Sequence, residues 1–411
     1  MLKVYDVRAV ILLAIGLMLA GLGVPASALA KQPYKVLYSF EGNPDGESPL
    51  AELLSDSSGN IYGTTAIGGQ NGLGTAFKLS STGTENVLFS FGGRSGAAPN
   101  GGLIADANGN LYGATAFGGK KCANEPPPAR GCGVVFKLTP DGIETVLYAF
   151  AGRLDGKIPR ARLLMDGAGN LFGTTSEGGN GCAQDRDGCG TVFKIAPDGT
   201  ETILHAFKGG NDGSAPSGGL ILDGAGNLYG TTNTTVFQLA QDGVETVLHE
   251  FTGGVGDGGS PVGNLVSDAD GNLFGVTEEG GGSGCDGFGC GTVFKISPEG
   301  EESILYSFRG GDDGRQPLAG LFRDSNGNLY GTTFRGGNSD CQANEGCGTI
   351  FVVTPLGTET VLHTFSGRKD GNSPLASLTA WRHGYLVGTT SVGGTHRREL
   401  GTVFKVLLQN E

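Results

Sequence analysis

The sequence predicts an all-β chain folded as a seven-bladed β-propeller of four-stranded blades, closed by its N-terminal strand pairing into the last blade. Three observations carry this reading. First, the phrase Gly226-Asn227-Leu228-Tyr229-Gly230-Thr231-Thr232 recurs at 59–65, 109–115, 169–175, 271–277 and 327–333, with a worn copy at 384–390. The copies lie roughly 45 to 60 residues apart, the range of repeat architectures such as propellers. Second, the neighbours of each copy return in a fixed order: an apolar run ending in Asp before it, a Gly-Thr-Val-Phe-Lys run after it, then a Val-Leu-Tyr-x-Phe run. Third, the two ends complete each other. Residues 35–40 are a fourth-type run without the first three, and residues 402–406 are a third-type run without a fourth. Pairing them closes a ring and removes the open sheet edges that otherwise aggregate.

Composition agrees. The 411 residues include 78 glycines without a period of three, which excludes collagen. A hydrophobic share of 38% against 17% charged residues argues against disorder. The apolar residues fall in short runs between glycine turns, the mark of many short strands.

Taken in order, residues 317–365 show one unit. Pro317 precedes an apolar strand at 318–323, and Asp324-Ser325-Asn326-Gly327 is a turn in which Asp accepts from backbone N–H groups and Gly supplies positive φ. A second strand at 328–334, a loop carrying two cysteines, a third strand at 348–354, a turn at Pro355-Leu356-Gly357 and a fourth strand at 359–365 complete the blade. Seven copies in one chain can be compared with each other. A phenylalanine stands in every third strand (Phe77, Phe136, Phe193, Phe237, Phe294, Phe351, Phe404) and another ends every fourth (Phe40, Phe91, Phe150, Phe207, Phe251, Phe308, Phe365). These read as rings filling the space between sheets. Two residues after each strand-opening proline the side chain is Ala or Gly, as expected where seven inner strands crowd an axis.

Residues 1–30 read as a secretory signal peptide, with Lys3 and Arg8, an apolar run at 9–24 and Ala28-Leu29-Ala30 at a cleavage site. Residues 31–411 then form a single propeller domain. The eight cysteines make four close pairs, Cys122/Cys132, Cys182/Cys189, Cys285/Cys290 and Cys341/Cys347, which in an exported chain read as local disulfides. The net charge is −13, and removing Lys3, Arg8 and Asp6 (net +1) makes it −14, so nucleic acid is a poor partner. No membrane span is expected after signal removal.

The combined pattern resembles the Gloeo_Verruco (GloVer) tandem repeat of exported bacterial proteins, over nearly all of residues 35–407. The resemblance implies a secreted, periplasmic or surface-exposed repeat protein and no known reaction. The order of inner strand, Asp turn and Gly-Asn strand is also similar to the NHL-type propeller repeat by fold analogy.

For chemistry the sequence offers little. Asp45, Asp155, Asp212, Asp313, Asp370 and, more loosely, Asp257 recur in a Gly-x-x-Asp-Gly-x-x-Pro loop. One Asp per blade is too few oxygens for calcium, so these read as turns fixing the crossovers, with calcium kept only as an alternative cofactor. His205, His249 and His363 replace Tyr in the fourth strand and read as edge-strand surface positions. The one ring that varies while its neighbours stay alike lies three residues after each proline: Glu52, Gly102, Arg162, Gly219, Asn264, Gly320 and Ser377, with Asn100 and Arg160 nearby. The candidate ligand-binding residues are therefore Glu52, Asn100, Arg160, Arg162, Asn264 and Ser377. No carboxylate pair, Ser/His/Asp set or phosphate loop is visible. The expectation is a monomeric, non-catalytic binding or structural module for an extracellular carbohydrate or protein ligand, bound at the axial ring or the rim of long loops. The alternative is an extracellular hydrolase, lyase or lactonase using the polar ring.

Overall fold

The computed structural model describes residues 34–122, 130–182, 187–337, 341 and 345–408. The expected signal peptide lies outside them. Residues 32–411 group as one compact unit. It contains seven four-stranded antiparallel sheets, six of them ordered inner to outer along the chain. In the sixth blade the strands are Phe322–Arg323, Leu329–Thr333, Thr349–Val353 and Glu359–Thr364. The closing blade takes Thr379–Trp381, Tyr385–Thr390 and Thr402–Leu407 from the C-terminal end and Lys35–Ser39 from the N-terminal end. Lys35 stands opposite Lys405 and Ser39 opposite Thr402, the pairing the chain ends demand.

The repeat phrase owes its glycine to the aromatic ring. A Cβ on Gly63 would lie 2.7 Å from Phe77 Cζ and 2.7 Å from Leu53, and the equivalent glycine is blocked in the same way in all seven blades. The third-strand phenylalanine thus lies flat across the second strand. Its edge meets the phenylalanine ending the outer strand of the preceding blade, as in Phe40–Phe77 at 5.2 Å and Phe365–Phe404 at 5.5 Å between centroids. Seven such pairs, each buried, form the core between neighbouring sheets.

Three features differ from the sequence reading. The inner strands pair over only two residues in five blades, as at Leu54–Ser55 and Ile104–Ala105. The Ala/Gly positions before them pack backbone to backbone on the next blade instead: a Cβ on Gly218 would lie 2.2 Å from Gly263 O. Every outer strand also carries a bulge at its leucine, such as Leu204, skipped between the pairs Val192–His205 and Phe193–Ile203. The bulge shifts the strand's alternation by one residue. The Tyr or His after the leucine is then the group that meets the crossover aspartate.

The third difference concerns the cysteines. Their pairing is the expected one: Cys122–Cys132, Cys182–Cys189, Cys285–Cys290 and Cys341–Cys347, with Cα–Cα separations of 5.2 to 5.5 Å. The second member of each pair, however, belongs to the core and not to the loop in which the sequence reading puts it. Cys132, Cys189, Cys290 and Cys347 are buried in the same apolar clusters as Phe150, Phe207, Phe308 and Phe365, the phenylalanines that end their own outer strands. The reason is the next crossover, which folds back over them. The carbonyls of Cys132, Cys189, Cys290 and Cys347 accept from the N–H groups of Ile158, Ala215, Gln316 and Ser373, at 2.8 to 3.1 Å. Cys122 and Cys341 are buried in the same clusters as their partners, whereas Cys182 and Cys285 are half-buried at the margin of theirs. Among the described residues, no helix is long and apolar enough to cross a membrane.

Candidate functional site at the axis

The inner strands bring the varied ring together. Its seven members run Glu52, Gly102, Arg162, Gly219, Asn264, Gly320, Ser377, so glycine separates the polar residues except where Ser377 meets Glu52. The glycines make room. A Cβ on Gly102 would lie 3.0 Å from the Glu52 carbonyl oxygen and 3.5 Å from Arg162 Cδ, and one on Gly219 would lie 2.8 Å from Asn264 Oδ1. With that space free, the side chains reach across the axis. Asn264 Nδ2 donates to Glu52 Oε2 at 3.0 Å, and its Oδ1 accepts from Gly219 N–H at 2.6 Å. Arg162 Nη1 stands 3.5 Å from Glu52 Oε1. Burial pushes the Glu52 carboxyl above its ordinary range, opposed by the Arg162 charge and by hydrogen bonds from Asn264 and Thr379.

This ring separates two cavities. The larger, about 640 Å³, extends from Glu52, Arg162, Asn264 and Ser377 toward the tight Asp turns along an apolar wall that includes Leu54, Ile104, Met165, Ile221 and Val266. The smaller, about 180 Å³, lies on the crossover side and is lined by Asn100, Arg160 and Ser217 as well as the ring. Of the six candidates, Glu52, Arg162, Asn264 and Ser377 therefore share one place, and Asn100 and Arg160 lie at the other mouth. Asn100 Oδ1 there is buried without a hydrogen-bond partner. The larger space opens on the side of the tight Asp turns and the smaller one on the crossover side.

At the periphery the crossover aspartates do fix the blade-to-blade turns. Asp155 accepts from Ala151 N–H at 2.8 Å and from the Tyr148 hydroxyl at 2.9 Å; Asp45 and Asp313 make the same pair of contacts. The sequence reading misses a third member. A glutamate opening the outer strand of the next blade (Glu85, Glu201, Glu245, Glu302 or Glu359) lies beside the Asp, and burial followed by that Asp charge pushes its carboxyl up to about 7. Carboxylate pairs thus exist, across blades rather than within one. The signal was present as a Gly-x-Glu in six copies. His205 and His249 are correspondingly half-buried partners of Asp212 and Asp257, at 3.1 and 3.4 Å, rather than free edge positions. Among the described residues, His205/Asp212/Glu245 and His249/Asp257/Glu302 are the groups whose ligand atoms lie within 4.8 Å of one another, close enough to hold a metal ion.

Fold and axial ring together define a seven-bladed propeller with a single asymmetric polar centre. The chain belongs to the Gloeobacter/Verrucomicrobia repeat family (Gleo_Verruco), whose repeat profile matches residues 24–183, 122–287 and 233–411. No curated protein matches it in sequence. Among solved structures it is similar to a streptogramin B lyase, with TM-score 0.58 and 16% identity over 92% of this chain and 98% of that one. It is also similar to a candidate 6-phosphogluconolactonase from Bacteroides uniformis, with TM-score 0.51 and 17% identity over 80% and 88% of the two chains. The expectation of a non-catalytic module is corrected by these findings. The ring is not mere solvated lining but sets a buried carboxyl against a guanidinium and an amide. Two His/Asp/Glu groups stand at metal-ligating distance, and the fold is one that a lyase uses. The enzyme alternative accords with them better.

Proposed function

We propose that the protein is an exported propeller enzyme that opens a lactone or related ester in a small molecule held at the axis, by hydrolysis at the acyl C–O bond or by elimination that breaks the alkyl C–O bond. The observation that carries this is Glu52, a carboxyl with raised proton affinity at the floor of an apolar cavity, in reach of Arg162 and Asn264. A carboxyl so poised takes and returns a proton more effectively than an exposed one. The Arg162 guanidinium and Asn264 amide supply donors for the oxygen on which negative charge develops. The apolar wall holds the body of the substrate while the polar floor orients its reacting end. Asn100 and Arg160 supply polar contacts at the opposite mouth. Export by a leader at residues 1–30 is supported by the four disulfides.

The test is turnover of a panel containing streptogramin B, aldonolactones and simple aryl esters. At least one member is expected to be consumed, with Glu52→Gln lowering turnover by about 10²- to 10⁴-fold while the melting temperature stays close to wild type. A panel left intact, or turnover unchanged in the variant, overturns the reading.

A further inference from the structure

We propose that the contacts between the third and fourth blades and between the fourth and fifth blades each bind a zinc-class divalent cation, through His205, Asp212 and Glu245 and through His249, Asp257 and Glu302. This is independent of the axial site. The three ligands come from three separate segments: the outer strand of one blade, the crossover after it, and the start of the next outer strand. Two ligands of a tetrahedral zinc at about 2.0–2.1 Å from the ion stand about 3.3 Å apart. The His205–Asp212 and His249–Asp257 separations are 3.1 and 3.4 Å.

Contacts that would orient the ligands are also in place. Asp212 Oδ2 accepts from Lys208 N–H at 2.6 Å, and Asp257 Oδ2 accepts from Thr252 N–H at 2.7 Å, which leaves each Oδ1 turned to the imidazole. Glu245 Oε1 and Glu302 Oε1 are sealed from solvent with no donor directed at them. A cation would satisfy both carboxylates at once and tie adjacent blades together, with the imidazole carrying its remaining proton on Nδ1. Three protein ligands leave one position for water.

The other contacts are built-in controls. An orphaned glutamate oxygen occurs at all six contacts that have the glutamate, so it does not select a cation by itself; the imidazole does. Where Tyr38, Tyr148 or Tyr306 takes the histidine's place, a phenol donates to the Asp and no nitrogen ligand is offered. At the closing contact His363 and Asp370 remain, but Tyr34 stands where the glutamate would be and stacks on His363 at 3.7 Å.

The experiment is calorimetric titration of the chelator-stripped protein with Zn²⁺. Wild type is expected to bind two equivalents, His205→Tyr and His249→Tyr one each, and the double variant none, with affinity at each altered contact weakened at least about 100-fold, the upper range for losing a group that orients a ligand. Tyrosine is the residue of the sister blades, so the fold should survive, and an unchanged metal-free melting curve checks this. Zn²⁺ should raise the melting temperature of wild type and not of the double variant. At least one equivalent that the double variant loses supports the proposal. Less than one equivalent bound by wild type, or the same stoichiometry in the double variant, overturns it.

Discussion

The axial ring and the peripheral trios occupy positions that the chain writes seven times, and they have diverged in opposite ways. At the periphery the roles are kept and changes come together. The second blade contact has Phe89 in place of Tyr and Ser95 in place of Asp, and Ser95 Oγ still accepts from Gly92 N–H at 3.0 Å. At the axis no two blades supply the same polar group, and glycine alternates with Glu52, Arg162 and Asn264. Geometry accounts for the contrast. Peripheral positions are far apart, so a good local contact can be copied without interference. Axial positions converge, and seven copies of one charged side chain in a channel would collide and repel. Repetition therefore makes scaffold outside, and only broken repetition makes a site inside.

The strongest way to break the outer set is to delete residues 32–40. That removes Tyr34 with its stacking on His363, its hydrogen bond to the Asp370 carbonyl, and the whole outer strand of the closing blade. Phe40, fully buried, loses about 1.5–3 kcal/mol of burial, and the half-buried Val36 and Tyr38 lose less each. The truncated chain should aggregate, or melt more than about 10 °C earlier by scanning calorimetry. An unchanged melt with a monomeric elution profile would mean the ring is not held shut by this strand.

A change of pH sharpens the comparison at the tyrosine-type contacts. Glu85, Glu201 and Glu359 have folded pKa values of about 7, above the unfolded value near 4.3. Their stabilisation is complete below pH ~4.3 and is lost as pH rises through ~7. Each is about half exposed, so screening limits it to under about 1 kcal/mol. The melting temperature is expected to fall by up to about 4 °C between pH 5.5 and pH 8, and the triple change to Gln should flatten that slope. At lower pH the inner-turn aspartates act the other way. Burial raises Asp106 and Asp223, but hydrogen bonds from Asn110 and Asn227 outweigh it and leave both below their ordinary range, so their contribution disappears as pH falls through the folded value.

The smallest effect tests whether the paired changes are coupled. Asp155→Ser strands the Tyr148 hydroxyl, and Tyr148→Phe removes one of the donors to Asp155. Each should cost about 0.5–1.5 kcal/mol in urea unfolding. The double variant, which copies Phe89 and Ser95, should cost less than the sum by at least ~0.5 kcal/mol. Strict additivity would show the second contact to be an accident.

Much of this was legible in the residues. The phenylalanine rings, the disulfide partners and the shared last blade follow from comparing seven copies, because equivalent positions in a repeat meet equivalent neighbours. The axial ring was legible as a place, from its variation between constant Ala/Gly and Leu positions. Its chemistry was not: Glu52 and Asn264 are 212 residues apart in the chain and meet only when the ring closes. The burial of Cys132, Cys189, Cys290 and Cys347 was hidden for a related reason, since the crossover that covers each of them belongs to the next blade. The peripheral glutamates were missed because each pairs with an aspartate of the previous blade, and a blade read alone contains no such pair.

The sequence by itself determined the blade, the blade count and the closure, since each rests on short-range turns, alternation and matching ends. Tertiary structure decided what the side chains do. The bulge at each outer-strand leucine sets which group faces the crossover aspartate, and the curvature of seven stacked sheets sets which distant residues share the axis. Both are consequences of packing between blades. Proton affinity and metal-ligating geometry follow from them, because burial and neighbouring charge are properties of the assembled ring and of no single repeat.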